Sequence, residues 1–164
     1  MNGKMCLPFG IECVMQWMIQ EAVLGSLFSR ALLGVGPEAL LMDGQLLGTL
    51  FENLVVHDLW VYASLLPGAG AHPLHYYADS DGLEVDVIIE LTDGRWAAIE
   101  TKLGDSKVDQ GVKNLLRLEK KVLNNPLARG CEPVFKAVVV GSGAYARQLS
   151  DSGIYVIPLD TLTV

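Results

Sequence analysis

The 164-residue sequence predicts an α/β fold, in which a mixed central β-sheet is flanked by helices. Three observations lead to this fold class. Apolar and polar residues alternate on both sides of Asp93-Gly94, which is typical of a β-hairpin. Two longer segments carry apolar residues at helical spacing. A Val-rich run, Val134–Val140, is typical of a buried strand.

The chain before the hairpin is predicted to be mainly helical. Residues 1–25 are interpreted as an N-terminal helical extension, and residues 26–164 as one domain. Glu38–Met42 forms a short helical turn in this interpretation. Gln45–Leu66 is the longest helical pattern, and Pro67-Gly68 ends it, since neither residue favours a helix interior.

The predicted hairpin brings three charged side chains close together. Odd positions from 83 to 91 are all apolar, so the strand period of two places Asp86 on the face opposite this aliphatic row. Asp93-Gly94 provides the turn, because Gly tolerates a positive φ. On the returning strand one residue separates Glu100 from Lys102, and these two side chains therefore share a face.

Further elements complete the predicted sheet and its helices. They are, in chain order, a strand at His75–Tyr77 after a Gly-rich loop at Gly68–Gly70, a helix from Val108 to Leu123, the strand at Val134–Val140, a short helix at Ala144–Leu149 and a last strand at Ile154–Pro158.

Asp86, Glu100 and Lys102 together suit metal-dependent chemistry. Two carboxylates that converge from adjacent strands form a hard oxygen site for Mg²⁺ or Mn²⁺. A lysine beside them orients or activates an attacking water and stabilises developing negative charge. The spacing therefore predicts a metal site at this end of the hairpin.

An Asp followed on the next strand by Glu-x-Lys resembles the signature of the PD-(D/E)XK metal-dependent nucleases, with LEVD and IETK matching its last two motifs. Longer segments, GTLFENLVVHDLWVYA, HYYADSDGLEVDVIIE and GRWAAIETKLGD, resemble a domain of unknown function that follows the ATPase core in a large family of predicted prokaryotic AAA+ ATPases. The resemblance runs from about Ser26 to the end of the chain. It implies a bacterial protein with a restriction-endonuclease-like core.

The resemblance also implies the site residues. Glu52 corresponds to the first acidic motif residue, and the alternative for this position is an ordinary exposed glutamate. The catalytic set is then Glu52, Asp86, Glu100 and Lys102, and the metal ligands are Asp86, Glu100, the Thr101 backbone carbonyl and Glu52. Their order is similar to that of the Holliday-junction-resolvase branch, in which dimers cut branched DNA, so a homodimer is a further expectation.

No G-x-x-x-x-G-K-[ST] phosphate loop occurs in the sequence, so the ATPase module of the resembled family is missing and ATP is not expected to bind. The chain is long enough for one domain with a core, and too short for an ATPase module as well.

The net charge of −7 disfavours nucleic acid as a partner, but the charge is unevenly distributed along the chain. Residues 37–100 hold eleven acidic side chains and one basic one, whereas residues 101–136 hold eight basic and four acidic ones. Four basic residues of the Val108–Leu123 helix fall on one stripe. We call them the basic stripe and interpret them as a DNA backbone contact, with a solvated helix face as the alternative: Lys113, Arg117, Lys120 and Lys121.

No apolar run approaches the roughly 20 residues of a membrane span, and Pro8, Gly10 and Glu12 interrupt the apolar region that a signal peptide needs. A cytoplasmic protein without membrane contact is therefore expected. Two functions remain open at this point. One is a Mg²⁺- or Mn²⁺-dependent DNA endonuclease, and the other is a catalytically silent regulatory module that binds a protein such as an ATPase.

Overall fold

The computed structural model describes residues 37–128 and 130–162. The predicted extension at residues 1–25 and the first residues of the predicted domain lie outside these ranges. The helices are α1 (Pro37–Met42), α2 (Gly44–Ser64) and α3 (Val108–Asn124). The strands are β1 (Ala69–Ala78), β2 (Glu84–Leu91), β3 (Trp96–Lys102), β4 (Phe135–Val140), β5 (Arg147–Gln148) and β6 (Tyr155–Pro158). Short 3₁₀ turns lie at Asp105–Lys107, Pro126–Ala128 and Leu159–Thr161.

The described strands form one six-stranded mixed sheet in the order β1-β2-β3-β4-β6-β5. β1, β2 and β3 pair antiparallel, β3, β4 and β6 pair parallel, and β5 returns antiparallel to β6. A parallel pair needs a crossover connection, and α3 provides it between β3 and β4. The predicted mixed α/β sheet with flanking helices is therefore confirmed.

The sheet separates two apolar clusters, one under each long helix. α2 packs on one face, where Phe51, Val55 and Leu59 contact the cluster that contains Ile99 and Val139. α3 packs on the opposite face, in a cluster with these buried members: Leu115, Leu118, Val122, Ile88, Trp96, Ala98 and Val138. This layering brings both helices against β3, the strand that carries Glu100. Among the described helices, none is long and apolar enough to cross a membrane.

The structure corrects the predicted face of β2. Three residue steps of β2 lie opposite two of β1, since Ile88 pairs with His75 but Val85 pairs with Tyr77. Such a mismatch is a β-bulge, which bends a strand and re-aims its side chains. Asp86 lies inside the bulge. The aliphatic row is consequently split between the two clusters, with Leu83 and Val85 on the α3 side and Val87 and Ile89 on the α2 side.

Two other predictions are wrong in detail. The segment Gly68–Gly70 is not a loop throughout, because β1 already begins at Ala69. The segment Ala144–Leu149, predicted as a short helix, instead contains the two-residue strand β5, which forms a tight hairpin with β6. Backbone bonds from Leu149 to Ile154 and from Gly153 to Leu149 close that hairpin, and Gly153 has a positive φ of 68° there.

β1 is the outer strand on one side of the sheet, and its pairing is irregular. Pro73 lies between the paired residues Ala69 and Leu74, where the register against β2 shifts. Five residue steps of β1 face only two of β2 there, because Ala69 pairs with Leu91 and Leu74 with Ile89. Proline has no backbone donor, which confines it to edge strands and bulges of this kind.

Candidate functional site

The predicted site residues lie together at the end of the β2–β3 ladder. The Lys102 ammonium is 2.6 Å from Glu100 Oε2 and 3.8 Å from Asp86 Oδ2. Glu52, on α2, lines one cleft together with Lys102, and the charges of Asp86 and Lys102 both act on its pKa. Sequence spacing placed Glu100 and Lys102 on one face, and the short distance between their side chains agrees with that.

Asp86 continues the ladder with its side chain. The last backbone pair of β2 and β3 joins Val87 to Ile99. Beyond it, the Thr101 backbone N–H donates to Asp86 Oδ2 at 2.7 Å, and the Thr101 hydroxyl donates to the same oxygen at 2.9 Å. Two donors on one oxygen fix the direction of the carboxylate. The bulge in β2 and these two bonds together hold Asp86 beside Lys102.

Glu100 is the most buried acid of the site, with 1% of its surface exposed. Lys102 donates to its Oε2, and the Asn114 side-chain amide donates to its Oε1 at 3.1 Å. Burial, followed by the charge of Asp86, raises the pKa of Glu100 to about 7, although the hydrogen bonds from Lys102 and Asn114 oppose the shift. The carboxyl therefore changes its charge near neutral pH.

α3 approaches Glu100 closely because it carries a glycine at the contact. A Cβ atom at Gly111 would lie 3.1 Å from Val138 Cγ2 and 3.4 Å from Glu100 Cβ. Asn114 follows three residues later on the same side of the helix, and it therefore reaches the carboxylate.

Glu52 lies half-buried on α2, one residue after the core residue Phe51. Burial raises its pKa first, the neighbouring charges of Asp86 and Glu84 raise it further, and Lys102 lowers it. Glu52 is therefore not fully exposed, and its carboxyl lies within the electrostatic influence of Asp86 and Lys102.

Two side chains of the site were missed by sequence reasoning, Asn114 and Tyr76. Burial raises the pKa of Tyr76 to about 12, and so do its hydrogen bond to Glu84 and the charges of Glu84, Asp86 and Glu52. The phenol therefore stays protonated beside the carboxylates. Tyr76 lies on β1 and carries no motif of its own. Asn114 shares α3 with the basic stripe, and its uncharged side chain within that face was the one available signal.

The carboxylates suit a metal by chemistry, but their present arrangement contains a built-in cation. Carboxylate oxygens are the ligands that Mg²⁺ and Mn²⁺ prefer. Within residues 37–128 and 130–162, however, no group of three or more His, Cys, Asp or Glu side chains is arranged to hold a metal ion. The Lys102 ammonium bridges Glu100 and Asp86 instead. A metal at this site would have to share the carboxylates with Lys102.

A cleft of about 280 Å³ opens beside these residues, between the first half of α2 and the end of β3. We refer to it as the cleft. It is lined by Gly44, Gln45, Gly48, Thr49, Phe51, Glu52, Thr101, Lys102, Leu103 and Lys107. Two predicted catalytic residues, Glu52 and Lys102, thus face an accessible space.

The basic stripe divides into three exposed side chains and one that is engaged. Lys113, Arg117 and Lys120 are exposed, and none of them forms an ion pair with another residue of the described chain. Lys121 instead donates to Asp79 Oδ2 at 2.6 Å and to Asp81 Oδ2 at 2.5 Å. Lys121 therefore ties α3 to the β1–β2 turn.

The ion pairs of Lys121 change the pKa values of their members. Hydrogen bonds to Asp79 and Asp81 raise the pKa of Lys121. Burial opposes the shift of Asp79, but hydrogen bonds from Lys121, the Leu83 backbone, Tyr77 and the Asp81 backbone lower its pKa to about 2. These contacts keep both partners charged at neutral pH.

Comparison with known proteins gives one informative result. No curated protein matches the chain. A family model described as a domain of unknown function (DUF4143) matches residues 47–162, which is well over half of the chain and includes Glu52, Asp86, Glu100 and Lys102. The chain therefore belongs to the DUF4143 family of domains of unknown function.

Proposed function

We propose that this domain is a metal-dependent phosphodiesterase, which hydrolyses the DNA backbone from a PD-(D/E)XK nuclease-like core. The observation that carries the proposal is the joint position of Asp86, Glu100 and Lys102 at the end of one hairpin. A converging carboxylate pair with a lysine amine within hydrogen-bond distance is an arrangement suited to phosphodiester hydrolysis.

Each site residue has a role that follows from its position. Asp86 and Glu100 would hold Mg²⁺ or Mn²⁺, with Glu52 and the Thr101 carbonyl as further ligands. The bound metal would supply an activated water and stabilise the charge of the phosphoryl oxygens. Lys102 orients that water and places a positive charge beside the reacting phosphate. Asn114 holds one oxygen of Glu100, which leaves the other to Lys102.

The charges around the site support binding of a cation. Glu52, Asp86 and Glu100 interact with a single Lys102 ammonium, so the formal charge of the group is −2 when all are ionised. Burial and mutual repulsion raise the pKa values of Glu52 and Glu100. A divalent cation reverses that repulsion, and its binding would lower both pKa values.

DNA would reach this site along α3. Lys113, Arg117 and Lys120 are exposed on the helix whose Asn114 touches Glu100. A row of exposed basic side chains beside a carboxylate site is suited to the phosphate backbone, and the acidic residues elsewhere make the attraction sensitive to salt.

Cleavage and metal binding test the proposal directly. The purified chain is incubated with linear, branched and single-stranded DNA in Mg²⁺ and in Mn²⁺. We expect cleavage by the parent and none by Asp86→Asn, which keeps the size of the side chain but removes its charge. Asp58→Asn, on the same helix as Glu52 but outside the site, is the control and should retain cleavage.

Thermal melting adds a readout without DNA. Mn²⁺ at millimolar concentration should raise the melting temperature of the parent and of Asp58→Asn, and not that of Asp86→Asn, because a ligand that binds only the folded state stabilises it. The nuclease proposal fails if the parent neither cuts DNA nor responds to either metal.

A second function is favoured by one observation on α2. This helix exposes apolar side chains on the face turned away from the sheet, including Leu54 (42% exposed) and Val61 (38%), and its C-cap residue Leu65 is 67% exposed. Exposed apolar patches often mark protein interfaces. The domain would then be a catalytically silent regulatory module, and an AAA+ ATPase or a second copy of the chain would be the partner.

Self-association separates these partners. Sedimentation of the parent and of Leu54→Ser/Val61→Ser over a range of concentrations should show a dimer that only the parent forms, if this face joins two copies. A parent that stays monomeric while the cleavage assay is also negative leaves an ATPase as the partner to test by direct titration.

A further inference from the structure

The cleft extends well beyond the carboxylate site. Its α2 wall runs from Glu52 back to Gly44, a distance of about 12 Å along the helix axis at 1.5 Å per residue. The carboxylate site occupies the Glu52 end, where Lys102 is already paired with Glu100. Away from Glu52 the cleft is lined by the start of α2, and Lys107, the last residue of a 3₁₀ turn, also lines it.

Lys107 contributes a positive charge to the cleft, and the Asp43 carboxylate lies at the start of α2. The Lys107 side chain is exposed and forms no ion pair within residues 37–128 and 130–162. Asp105, the acid two residues before it, is instead paired with Arg147 at 2.9 Å. Glu52 is the acidic side chain of the cleft lining.

Side chains, rather than the helix terminus, would recognise a ligand here. Near the start of α2, the backbone N–H groups of Gln45 and Leu46 already donate to the Asp43 carboxylate. The Thr49 hydroxyl donates to the Gln45 carbonyl. The cleft lining also contains two further side-chain donors, the Lys107 ammonium and the Gln45 amide.

Gly44 and Gly48 carry no side chain, so the α2 side of the cleft stays open. A Cβ atom at Gly44 would meet nothing within 4 Å, and one at Gly48 would meet only Leu103 Cδ1, at 3.7 Å. The volume of about 280 Å³ is just below the roughly 300 Å³ at which small-molecule pockets begin. The cleft therefore accommodates one backbone unit of a strand, and a duplex is too wide to enter it.

We propose that the cleft is a phosphate subsite, in which Lys107 and Gln45 bind the phosphodiester group of a nucleic-acid strand next to the group held at the carboxylate site. The subsite rests on the proposed function, because the neighbouring phosphodiester group is the one held at the carboxylate site. Contact between Lys107 and a nucleic-acid strand requires only binding, so it can be measured without cleavage.

Fluorescence anisotropy of a labelled single-stranded oligonucleotide tests the subsite, with the full chain in EDTA over a series of salt concentrations. Lys107→Ala should weaken binding by about tenfold, as the loss of one charge-assisted hydrogen bond does. It should also reduce the slope of log affinity against log salt by about 0.7, the value for one phosphate contact on a single strand. Gly48→Gln should weaken binding at an unchanged slope, because it fills the cleft without removing a charge.

Arg95→Ala is the matched control, since it removes one positive charge at the other end of the hairpin. Its position lies about 23 Å from Lys102 along β3, at 3.3 Å per residue. The affinity of Arg95→Ala for the oligonucleotide should stay near that of the parent. Equal losses for Lys107→Ala and Arg95→Ala would overturn the subsite, because net charge alone would then explain them. Absence of binding by the parent at low salt would also overturn it.

The cleavage assay separates this inference from the proposed function. Binding that depends on Lys107 in a chain that cuts no DNA supports the subsite and rejects the nuclease. If the parent cuts DNA and neither Lys107→Ala nor Gly48→Gln changes the affinity for the oligonucleotide, the nuclease is supported and the subsite is rejected.

Discussion

Lys102 provides the candidate site with a counter-charge from the protein itself. Its ammonium bridges Glu100 and Asp86, two acids that would otherwise repel each other in a partly buried position. The site can therefore assemble during folding without a metal. A divalent cation bound there would compete with the ammonium for the carboxylate oxygens, so its affinity would depend on how far Lys102 can move aside.

The raised pKa of Glu100 predicts how stability depends on pH. The folded-state pKa of about 7 lies above the usual value of 4.5, so the stability associated with the protonated carboxyl is fully present below pH 4.5 and is lost as pH rises through 7. Glu100→Gln keeps the shape of the side chain and cannot ionise. Relative to the parent, we expect this variant to gain stability between pH 5 and pH 8, by up to about 3 kcal/mol.

Urea denaturation of both chains at pH 5 and at pH 8 measures this difference. Glu38→Gln, at an exposed position on α1, serves as the control and should follow the parent at both pH values. Parallel behaviour of Glu100→Gln and the parent would show that Glu100 is charged throughout this range.

At the scale of elements, the contact between α3 and β3 depends on the missing side chain of Gly111. Alanine generally stabilises a helix interior by about 1 kcal/mol relative to glycine. At Gly111 the added methyl group would lie 3.1 Å from Val138 Cγ2 and would press the helix away from Glu100. Gly48 on α2 is a matched comparison, because a methyl group there meets Leu103 at an ordinary 3.7 Å.

We expect Gly48→Ala to raise the free energy of unfolding measured by urea denaturation. The free energy of unfolding of Gly111→Ala should be lower than that of Gly48→Ala by about 1 kcal/mol or more, since overpacking costs about 1 to 3 kcal/mol. An equal gain in both variants would mean that α3 shifts freely and does not hold Asn114 against Glu100.

At the scale of the whole molecule, the proposed DNA binding would have to overcome a net charge of −7. Lys113 and Lys120 are exposed, whereas Lys121 is held by Asp79 and Asp81. Lys113→Ala/Lys120→Ala should therefore weaken duplex binding for all sequences alike and reduce the salt slope by about 1.8, because each phosphate contact contributes about 0.9. Lys121→Ala should leave the salt slope unchanged and lower the melting temperature instead.

Filter binding across a salt series, with melting curves for the same proteins, checks both halves of this prediction. A reduced slope for Lys121→Ala would mean that DNA displaces its two acidic partners. The basic stripe would then act as a unit of four residues, as its spacing in the sequence suggests.

Much of the fold was predictable because its signals are local. Alternation around Asp93-Gly94 predicted the hairpin of β2 and β3, and the periodicity from Val108 predicted α3. β5 was predicted as a helix because its two residues are too few to show a strand period, and their conformation is imposed by pairing with β6.

The candidate site was predictable where one strand carries it. Glu100 and Lys102 are two residues apart, so strand geometry alone brings them together. The direction of Asp86 was harder to predict, since it depends on a bulge that arises only when β2 pairs with β1. Asn114 and Tyr76 reach the site from α3 and β1, and their approach depends on packing that the sequence pattern does not encode.

The irregular outer strand β1 has a consequence for aggregation. A long, regular edge strand invites the strand of another molecule, because its outward N–H and C=O groups are unpaired. In β1, Pro73 removes a donor and the register shifts on both sides of His75 bend the edge. The opposite edge is only the two residues of β5. Neither edge of the described sheet is a good template for cross-β growth, so the protein should resist fibril formation.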